Sequence, residues 1–444
     1  MRFPRLSLLV PAVVALSSIA SFAAAAELPD RPLTLEECIE LARRHNPSLA
    51  IARQGVIAAE ANVNRALSAY YPAATFIGTQ GRTAGSSFVE TAAGTVAFTA
   101  SGRRREAEVL LSQTVWQTGR RESVRQTRSA LGASQADESA AAQDLTLSVS
   151  QLYYSALAAE QLVEVAEATL AAAHDHEKLV RARAAVGEAA PVDIAPAEAN
   201  TADAEFTLLQ VRNNAGVATA QLKRGIGISP TYRIQLARPG PEEAQAAAPS
   251  LGEALALALA NRPELAATRH SVAAGEDGLR LARAVQGAVV SLSAQYDRGI
   301  QGPQEGTSWA AVVSASAFLF DGGARAADTK AASANLESLR GQEQQLVNGI
   351  GLEIESALLN AETARESVQA AQKAVASAEL QLAGAEAKYR EGVGIFVEIL
   401  DAQQAVTRAR TNHVRARYDY QTALVSLKRA TGKLAPNVAD AQLP

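Results

Sequence analysis

The sequence predicts a mainly helical protein with a smaller β component, formed by one unit that occurs twice along 444 residues. Three observations lead to this fold class. Blocks of similar sequence recur in the same order in both halves, each half contains short segments of alternating polarity, and a very long helical pattern follows each of them. Since a helix of more than sixty residues spans about 100 Å, the molecule is expected to be elongated.

The duplication is visible as a gapless alignment of residues 34–80 with residues 250–296. Three further blocks follow in the same order: 115–121 with 319–325, 186–199 with 391–404, and 221–227 with 426–432. A unit of this length is too long for a solenoid repeat. We therefore predict a first repeat at 27–228, a connector at 229–249, a second repeat at 250–432 and a C-terminal tail at 433–444.

The N-terminal residues predict export from the cytoplasm. Arg2 and Arg5 precede an apolar run that ends in three alanines at 24–26, which is typical of a removable signal peptide at 1–26. The alternative is an N-terminal anchor that is retained. The remaining chain has no apolar stretch of about 18 residues, so it either stays in the periplasm or crosses a membrane as strands.

Composition and motifs point away from catalysis and nucleic acid. A net charge of -4 with 20% charged residues does not indicate a nucleic-acid partner. The lone Cys38 allows no intramolecular disulfide, and His174 and His176 point to different faces of a helix, so no metal site is predicted. The sequence contains none of the G-x-x-x-x-G-K-[ST], H-E-x-x-H or G-x-S-x-G motifs, and we predict a protein that is not an enzyme and needs no cofactor.

Each repeat is expected to open with two short helices. Thr34 with Glu37, and Ser250 with Glu253, have the spacing of a capping box, and Pro47 ends the first helix because the residue before a proline disfavours helical geometry.

Strands are predicted where polarity alternates, at about 73–83 and 105–116 in the first repeat and 289–298 and 309–320 in the second. Four strands are too few to close a membrane barrel, whereas three copies of the chain would supply twelve. The alternative is a small sheet on a periplasmic helical protein. Long helical hairpins follow at 119–224 and 323–428, with apolar residues spaced as in a coiled coil, for instance Leu208, Val211, Ala215, Ala218 and Leu222.

The residues resemble the TolC-like outer-membrane factors over nearly all of the mature chain. The resemblance rests on the opening LTLEECIELARRHNPSL, the strand-exit motifs LSQTVWQTGRR and FLFDGGAR, and the segments VGEAAPVDIAPAEA and YREGVGIFVEILDAQQA. It implies a homotrimer with a twelve-stranded barrel in the outer membrane of a Gram-negative bacterium and a helical barrel in the periplasm.

The same resemblance implies a function and partners. The trimer would be the passive exit duct of a tripartite efflux or type I secretion system, in contact with outer-membrane lipid, a periplasmic adaptor and an inner-membrane transporter of the RND, ABC or MFS type. Loops at 85–104 and 299–308 would face the cell exterior, and turns at 186–191 and 391–396 would form the periplasmic entrance. A periplasmic coiled-coil adaptor or scaffold remains the alternative function.

The candidate site is the periplasmic constriction. By resemblance, acids after the tip turns narrow the entrance at Asp193, Glu398 and Asp401, and Tyr389 helps to close it. The alternative for the acids is an ordinary solvated helix face, and the alternative for Tyr389 is a plain packing role. Gly394 stands where some members carry an arginine. The residues expected to contact the adaptor are Gly187, Glu188, Gly392 and Gly394.

Overall fold

The computed structural model describes residues 31–91, 94–187, 190–238, 249–284, 287–301, 304–317 and 319–434. The predicted signal peptide, most of the predicted connector beyond residue 238 and the tail beyond residue 434 lie outside these ranges.

The element order runs twice along the chain. Two short helices, two strands and two long helices are followed by the same series: α1 Leu35–His45, α2 Pro47–Ser68, β1 Ala73–Thr91, β2 Gly94–Gln117, α3 Arg120–Ala185, α4 Ile194–Ile226, then α5 Leu251–Asn261, α6 Pro263–Ala284, β3 Val289–Gln301, β4 Gln304–Ser316, α7 Ala324–Arg390 and α8 Phe396–Ala430. A short 3-10 turn at Pro191–Asp193 precedes α4.

Local sequence signals set the ends of the short helices. The Thr34 side chain accepts from the Glu37 amide, the Glu37 carboxylate accepts from the Thr34 amide, and Ser250 and Glu253 repeat this capping box at α5. Helix α1 ends at Asn46, whose extended backbone allows Pro47 to begin α2 at a new angle. The predicted helix starts are therefore confirmed.

The four strands form one antiparallel sheet in the order β1-β2-β3-β4. Val109 on β2 lies opposite Phe76 on β1 and Tyr296 on β3, and Tyr296 lies opposite Trp309 on β4. These four residues form one row on one face of the sheet. The other face is more polar, for example at Thr75 and Gln295 in the adjacent row. The sheet is thus amphipathic, and within the described residues β1 and β4 are its edge strands.

The strands are longer than the alternation pattern predicted. Strand β1 continues to Thr91 and β2 begins at Gly94, so most of the predicted loop at 85–104 is a paired hairpin, and the predicted loop at 299–308 is mostly strand as well. These segments are rich in glycine, serine, threonine and alanine, which weakens the signal of alternating polarity. They pair because each strand satisfies the backbone groups of the other, which the side-chain pattern does not reveal.

Strand β4 ends at Ser316, before the predicted boundary at 320. Gly322 and Gly323 have positive φ angles of 66° and 91°, and the Asp321 carboxylate accepts from the backbone amides of Gly323 and Arg325. Hydrogen bonds from the Arg325 side chain and these amides lower the pKa of Asp321 to about 2. The segment therefore turns and caps α7 instead of continuing the strand.

Helices α3 and α7 contain 66 and 67 residues, about 100 Å each. Helix α4 returns along α3 and α8 returns along α7, while α3 also packs against α6 and α8 and so joins the two repeats. The predicted α4 seam from Leu208 to Leu222 is buried or half-buried at every position. Cys38 is fully buried in the core formed by α1, α3 and α4, as expected for a small apolar side chain.

The start of the predicted connector packs on the core and does not act as a free linker. Leu33 forms an isolated parallel bridge with Leu236, and the Tyr153 hydroxyl lies within hydrogen-bonding distance of the backbone oxygens of Leu33 (3.0 Å) and Ala237 (2.5 Å). This contact ties the N-terminal segment and the end of the first repeat to the middle of α3.

A buried ionic cluster joins the repeats where α8 ends. Arg429 is 6% exposed and donates to Asp144 on α3 and Glu264 on α6, while Arg262, 5% exposed, donates to Glu264 and to Glu353 on α7. Burial raises the pKa of Glu264, but the hydrogen bond and charge of Arg429 outweigh it, and the pKa is lowered from its ordinary value.

Candidate functional site at the helical tips

Two glycines form the tip turns of the hairpins. Gly187 and Gly392 have positive φ angles of 81° and 79°, which an L side chain rarely adopts, and their amides donate to Ala184 and Tyr389 at the helix ends. Both turns are exposed. Glu188, predicted to contact an adaptor, lies outside the described residues.

Tyr389 is buried in a small cluster that holds the two hairpins together near the tips. Its ring packs 5.9 Å from that of Phe396, and Val180 from the first hairpin and Ile399 from α8 complete the contact. The Tyr389 hydroxyl is buried and has no hydrogen-bond partner in the described structure. Sequence analysis placed Tyr389 at this tip, and the structure adds that its ring belongs to the packing between hairpins.

Arg183, on the first hairpin, binds the end of α7 on the second hairpin. This contact was not predicted from the sequence. The Arg183 guanidinium donates to the backbone oxygens of Tyr389 at 2.7 Å and Arg390 at 3.0 Å, and it lies over the Tyr389 ring at 4.8 Å from the centroid. The contact uses the carbonyl groups at the end of α7, where the helix dipole is negative. The only sequence signal is that Arg183 aligns with the basic Lys388 in the other repeat.

Gly394 fits closely against the end of α7. A Cβ atom built at this position would lie 2.9 Å from the Lys388 Cβ and 3.0 Å from the Tyr389 backbone nitrogen. Contacts this short require the turn to shift. An arginine at this position would therefore require the turn to shift, and in this chain the guanidinium of Arg183 contacts the neighbouring end of α7.

The three predicted constriction acids occupy two different hairpins. Asp193 ends the 3-10 turn before α4 and is half-buried, whereas Glu398 and Asp401 are exposed in the first turns of α8. Ile399, between them in sequence, is buried on the opposite side, so the two α8 acids share the exposed face. None of the three carboxylates forms an ion pair with a described residue.

Apolar side chains surround both tip turns. Val186 and Val192 flank the first turn, Val393 and Ile395 lie in the second, and all four are well exposed. A protein partner that packs against the tips would find an apolar surface there.

Within the described ranges, no group of three or more His, Cys, Asp or Glu residues has the arrangement needed to hold a metal ion. His174 lies 3.7 Å from Glu205 on α4, whereas His176 faces Gln403 of the second hairpin at 3.3 Å. The described helices include none with the length and apolar content of a membrane span.

Comparison with known proteins places the chain in a family. A sequence profile described as "Outer membrane efflux protein" matches residues 38–227 and 254–433. Protein CyaE of Bordetella pertussis is 30% identical over 426 residues, which cover 93% of this chain and 86% of CyaE. Outer membrane efflux protein BepC of Brucella suis biovar 1 is 26% identical over 425 residues, covering 92% of this chain and 88% of BepC.

A solved structure shows the same fold. The outer-membrane channel OprN superposes with a TM-score of 0.76 at 20% sequence identity, with 90% of each chain covered. The fold and the matched sequence therefore define the chain as a TolC-like channel protein. It belongs to the outer membrane efflux protein family, so it is a protein of the Gram-negative outer membrane that extends into the periplasm. The predicted mainly helical fold with a four-stranded sheet and the family resemblance are confirmed.

Proposed function

We propose that three copies of this chain form a passive exit duct of a tripartite efflux or type I secretion system. A periplasmic adaptor would contact the tips, and an inner-membrane transporter of the RND, ABC or MFS type would supply the energy. The observation that carries the proposal is an amphipathic sheet with two edge strands among the described residues, since an open strand edge is not tolerated in lipid.

The repeat correspondence supports closure of the sheet by further copies of the chain. Strands β2 and β3 pair across the two repeats, with Val109 opposite Tyr296. Val109 corresponds to Val313 on β4 in the second repeat, and Tyr296 corresponds to Gln80 on β1 in the first repeat. The same pairing between copies would place Val313 opposite Gln80 of the next chain, which continues the antiparallel order of the sheet.

The helices support the same arrangement. Helix α3 packs against both α2 and α6, whereas its counterpart α7 packs against α6 and has no extensive contact with α2. Leu352 and Leu359 on α7 and Ile51 on α2 are more than half exposed in the single chain. A neighbouring copy would bury these residues and complete the contact that α3 already makes.

Three copies supply twelve strands, an even number within the range of bacterial barrels. Two copies would also give an even number, and the family resemblance favours three. The chain carries no recognised phosphate-binding loop in its sequence, which is consistent with transport driven by a partner.

Conductance and assembly test the proposal together. Full-length protein extracted from outer membranes should migrate as a heat-resistant trimer and should produce discrete ion currents in planar bilayers. A monomer recovered only from the periplasmic fraction would contradict the proposal. Capture of a purified adaptor by the trimer, and its loss when Val393 and Ile395 are both changed to serine, would test the tip surface.

A further inference from the structure

The sheet carries a group of arginines just beyond one end of its apolar face. Phe76, Tyr296 and Trp309 lie in one row with Val109, and aromatic side chains of this kind occur where a membrane barrel meets the interface. The next row along the same face contains Arg298, and the row after it contains Arg105. Basic residues therefore begin where the apolar band ends.

A hollow of about 450 Å³ lies between these arginines. It is lined by Gly78, Thr79, Gln80, Glu106, Ala107 and Gly299 together with Arg105 and Arg298. Gly78 leaves space in the hollow, since a Cβ atom added there would meet only the Phe76 ring, at 3.6 Å. Arg105 lies opposite Ile300, two residues from Arg298, and such diagonal neighbours are about 7–8 Å apart.

We propose that this arginine hollow binds the phosphorylated headgroup of a glycolipid in the outer leaflet of the outer membrane. Acyl chains would cover the apolar band below the aromatic row, which places the headgroup phosphates at the height of Arg105 and Arg298. Guanidinium groups bind phosphate oxygens in pairs of hydrogen bonds, which gives both energy and geometry. The proposal rests on the proposed barrel and on the orientation that the family resemblance implies, in which the chain at 85–104 and 299–308 faces the cell exterior.

Arg104 provides a matched control for this site. It is adjacent to Arg105 in sequence, but it lies on the opposite face of the sheet and pairs with Glu106 at 2.7 Å. Loss of its charge changes the net charge of the protein as much as loss of Arg105 does, while Arg105 and Arg298 both stay in place.

The test measures binding of lipid A, a doubly phosphorylated glycolipid, to the full-length trimer in detergent by native mass spectrometry. We expect the R105Q/R298Q variant to bind lipid A at least tenfold more weakly, single R105Q to show an intermediate loss, and R104Q to remain within twofold of the unchanged protein. Lipid A without phosphates should bind weakly, and millimolar inorganic phosphate should not displace the intact lipid.

Equal affinity of R105Q/R298Q and R104Q for lipid A would overturn the inference. Full displacement of lipid A by inorganic phosphate would also overturn it and would indicate a site for free anions. If the double variant does not assemble, the comparison of R105Q with R104Q decides. The mass spectrum also distinguishes a failure of the proposed function from a failure of this lipid site. Absence of a trimer contradicts the proposed function, whereas a trimer that retains no lipid A contradicts this inference alone.

Discussion

Arg183 joins the two hairpins at their tips through side-chain contacts with backbone oxygens at the end of α7. The contact crosses from the first repeat to the second, so it opposes any separation of the hairpins. Two residues earlier, Arg181 also forms ion pairs, but its partners Glu177 and Glu198 belong to the first hairpin. The two arginines therefore differ in what they hold together.

The first prediction is that Arg183→Gln loosens the entrance. The change removes hydrogen bonds from a charged donor, each worth about 1.5–3 kcal/mol, so the closed arrangement should be disfavoured roughly tenfold or more. Single-channel recording should show a higher open probability or conductance. Arg181→Gln is the control and should leave the currents unchanged, and equal effects of both variants would remove Arg183 from the closing mechanism.

The second prediction concerns Glu398 and Asp401, whose role at the constriction stays a prediction. Changing both to alanine should raise conductance and weaken block by divalent cations, because a ring of carboxylates around one axis attracts cations. Glu366→Ala, an exposed acid in the middle of α7, is the control. Currents that do not differ from those of the unchanged channel would assign the acids to an ordinary solvated face.

At the residue scale, the sequence indicated which positions lie at the tip but not how they interact. Tyr389 and the tip glycines could be placed because turn chemistry is local and occurs in both repeats. The role of Arg183 depends on a partner more than two hundred residues away, and no local pattern encodes that contact. The close packing of Gly394 is likewise visible only when the end of α7 is in place.

At the element scale, the ionic cluster around Arg429 distinguishes the two repeats. Its counterpart in the first repeat is Arg224, which is exposed and forms no ion pair with a described residue. The first repeat instead uses a hydrogen bond from the Asn46 side chain to the Gly225 carbonyl. Equivalent helix ends are therefore held by charge in one repeat and by a neutral contact in the other.

The third prediction is that Arg429→Ala strongly destabilises the protein. It leaves the half-buried Glu264 without its main partner, and loss of one member of a buried ion pair costs about 3–5 kcal/mol. Arg224→Ala, at the equivalent exposed position, should cost at most about 0.5 kcal/mol. Thermal unfolding of the purified variants in detergent measures both, and similar melting temperatures would contradict the assigned role of the cluster.

The fourth prediction follows from the lowered pKa of Glu264. A carboxyl group whose pKa is lower in the folded protein stabilises the fold above its unfolded pKa, near 4.5, and this stability is lost as the pH falls through the folded value. The melting temperature should therefore fall on acidification below about pH 4.5. The fall should be smaller in Arg429→Ala, where that pairing no longer exists, and an equal fall in both proteins would exclude Glu264 as its source.

Elements were predictable where the signal is local. Capping boxes, the proline that separates α1 from α2 and the coiled-coil spacing of α4 each follow from a few neighbouring residues. The ends of the strands were not predictable, because small and polar residues dominate the outer part of the β1–β2 hairpin and only the backbone pairing shows that it is strand. The packing of Leu236, at the start of the predicted connector, on the core could not be predicted either, because its partners lie far away in the sequence.

At the scale of the whole molecule, the duplication has the greatest consequence, because it specifies a contact that the single chain cannot make. The pairing of β2 with β3 inside one chain gives the expected register of β4 with β1 between chains. A shift of one residue would turn every side chain of the strand to the other face, so the register can be tested sharply.

The fifth prediction is that the Val313→Cys and Gln80→Cys double variant forms disulfide-linked trimers. Directly opposed residues in an antiparallel pair have Cα atoms about 4.5–5.5 Å apart, within the range of a disulfide. Pairing Gln80→Cys with Val312→Cys, one residue away on the opposite face, is the control and should not link. The native Cys38 is buried and should contribute little background. Linkage only in the control would mean that the register is wrong.

The β1–β2 hairpin is much longer than the β3–β4 hairpin. Pairing between β2 and β3 stops at Arg104 and Gln301, while β1 and β2 stay paired to Thr91 and Gly94, about 30 Å farther along the strands. On the proposed orientation, this ribbon of the first repeat is the part of the protein that antibodies and bacteriophages meet first. Sequence change in a host-exposed population should concentrate there, on a segment that contributes nothing to closing the wall in the lipid.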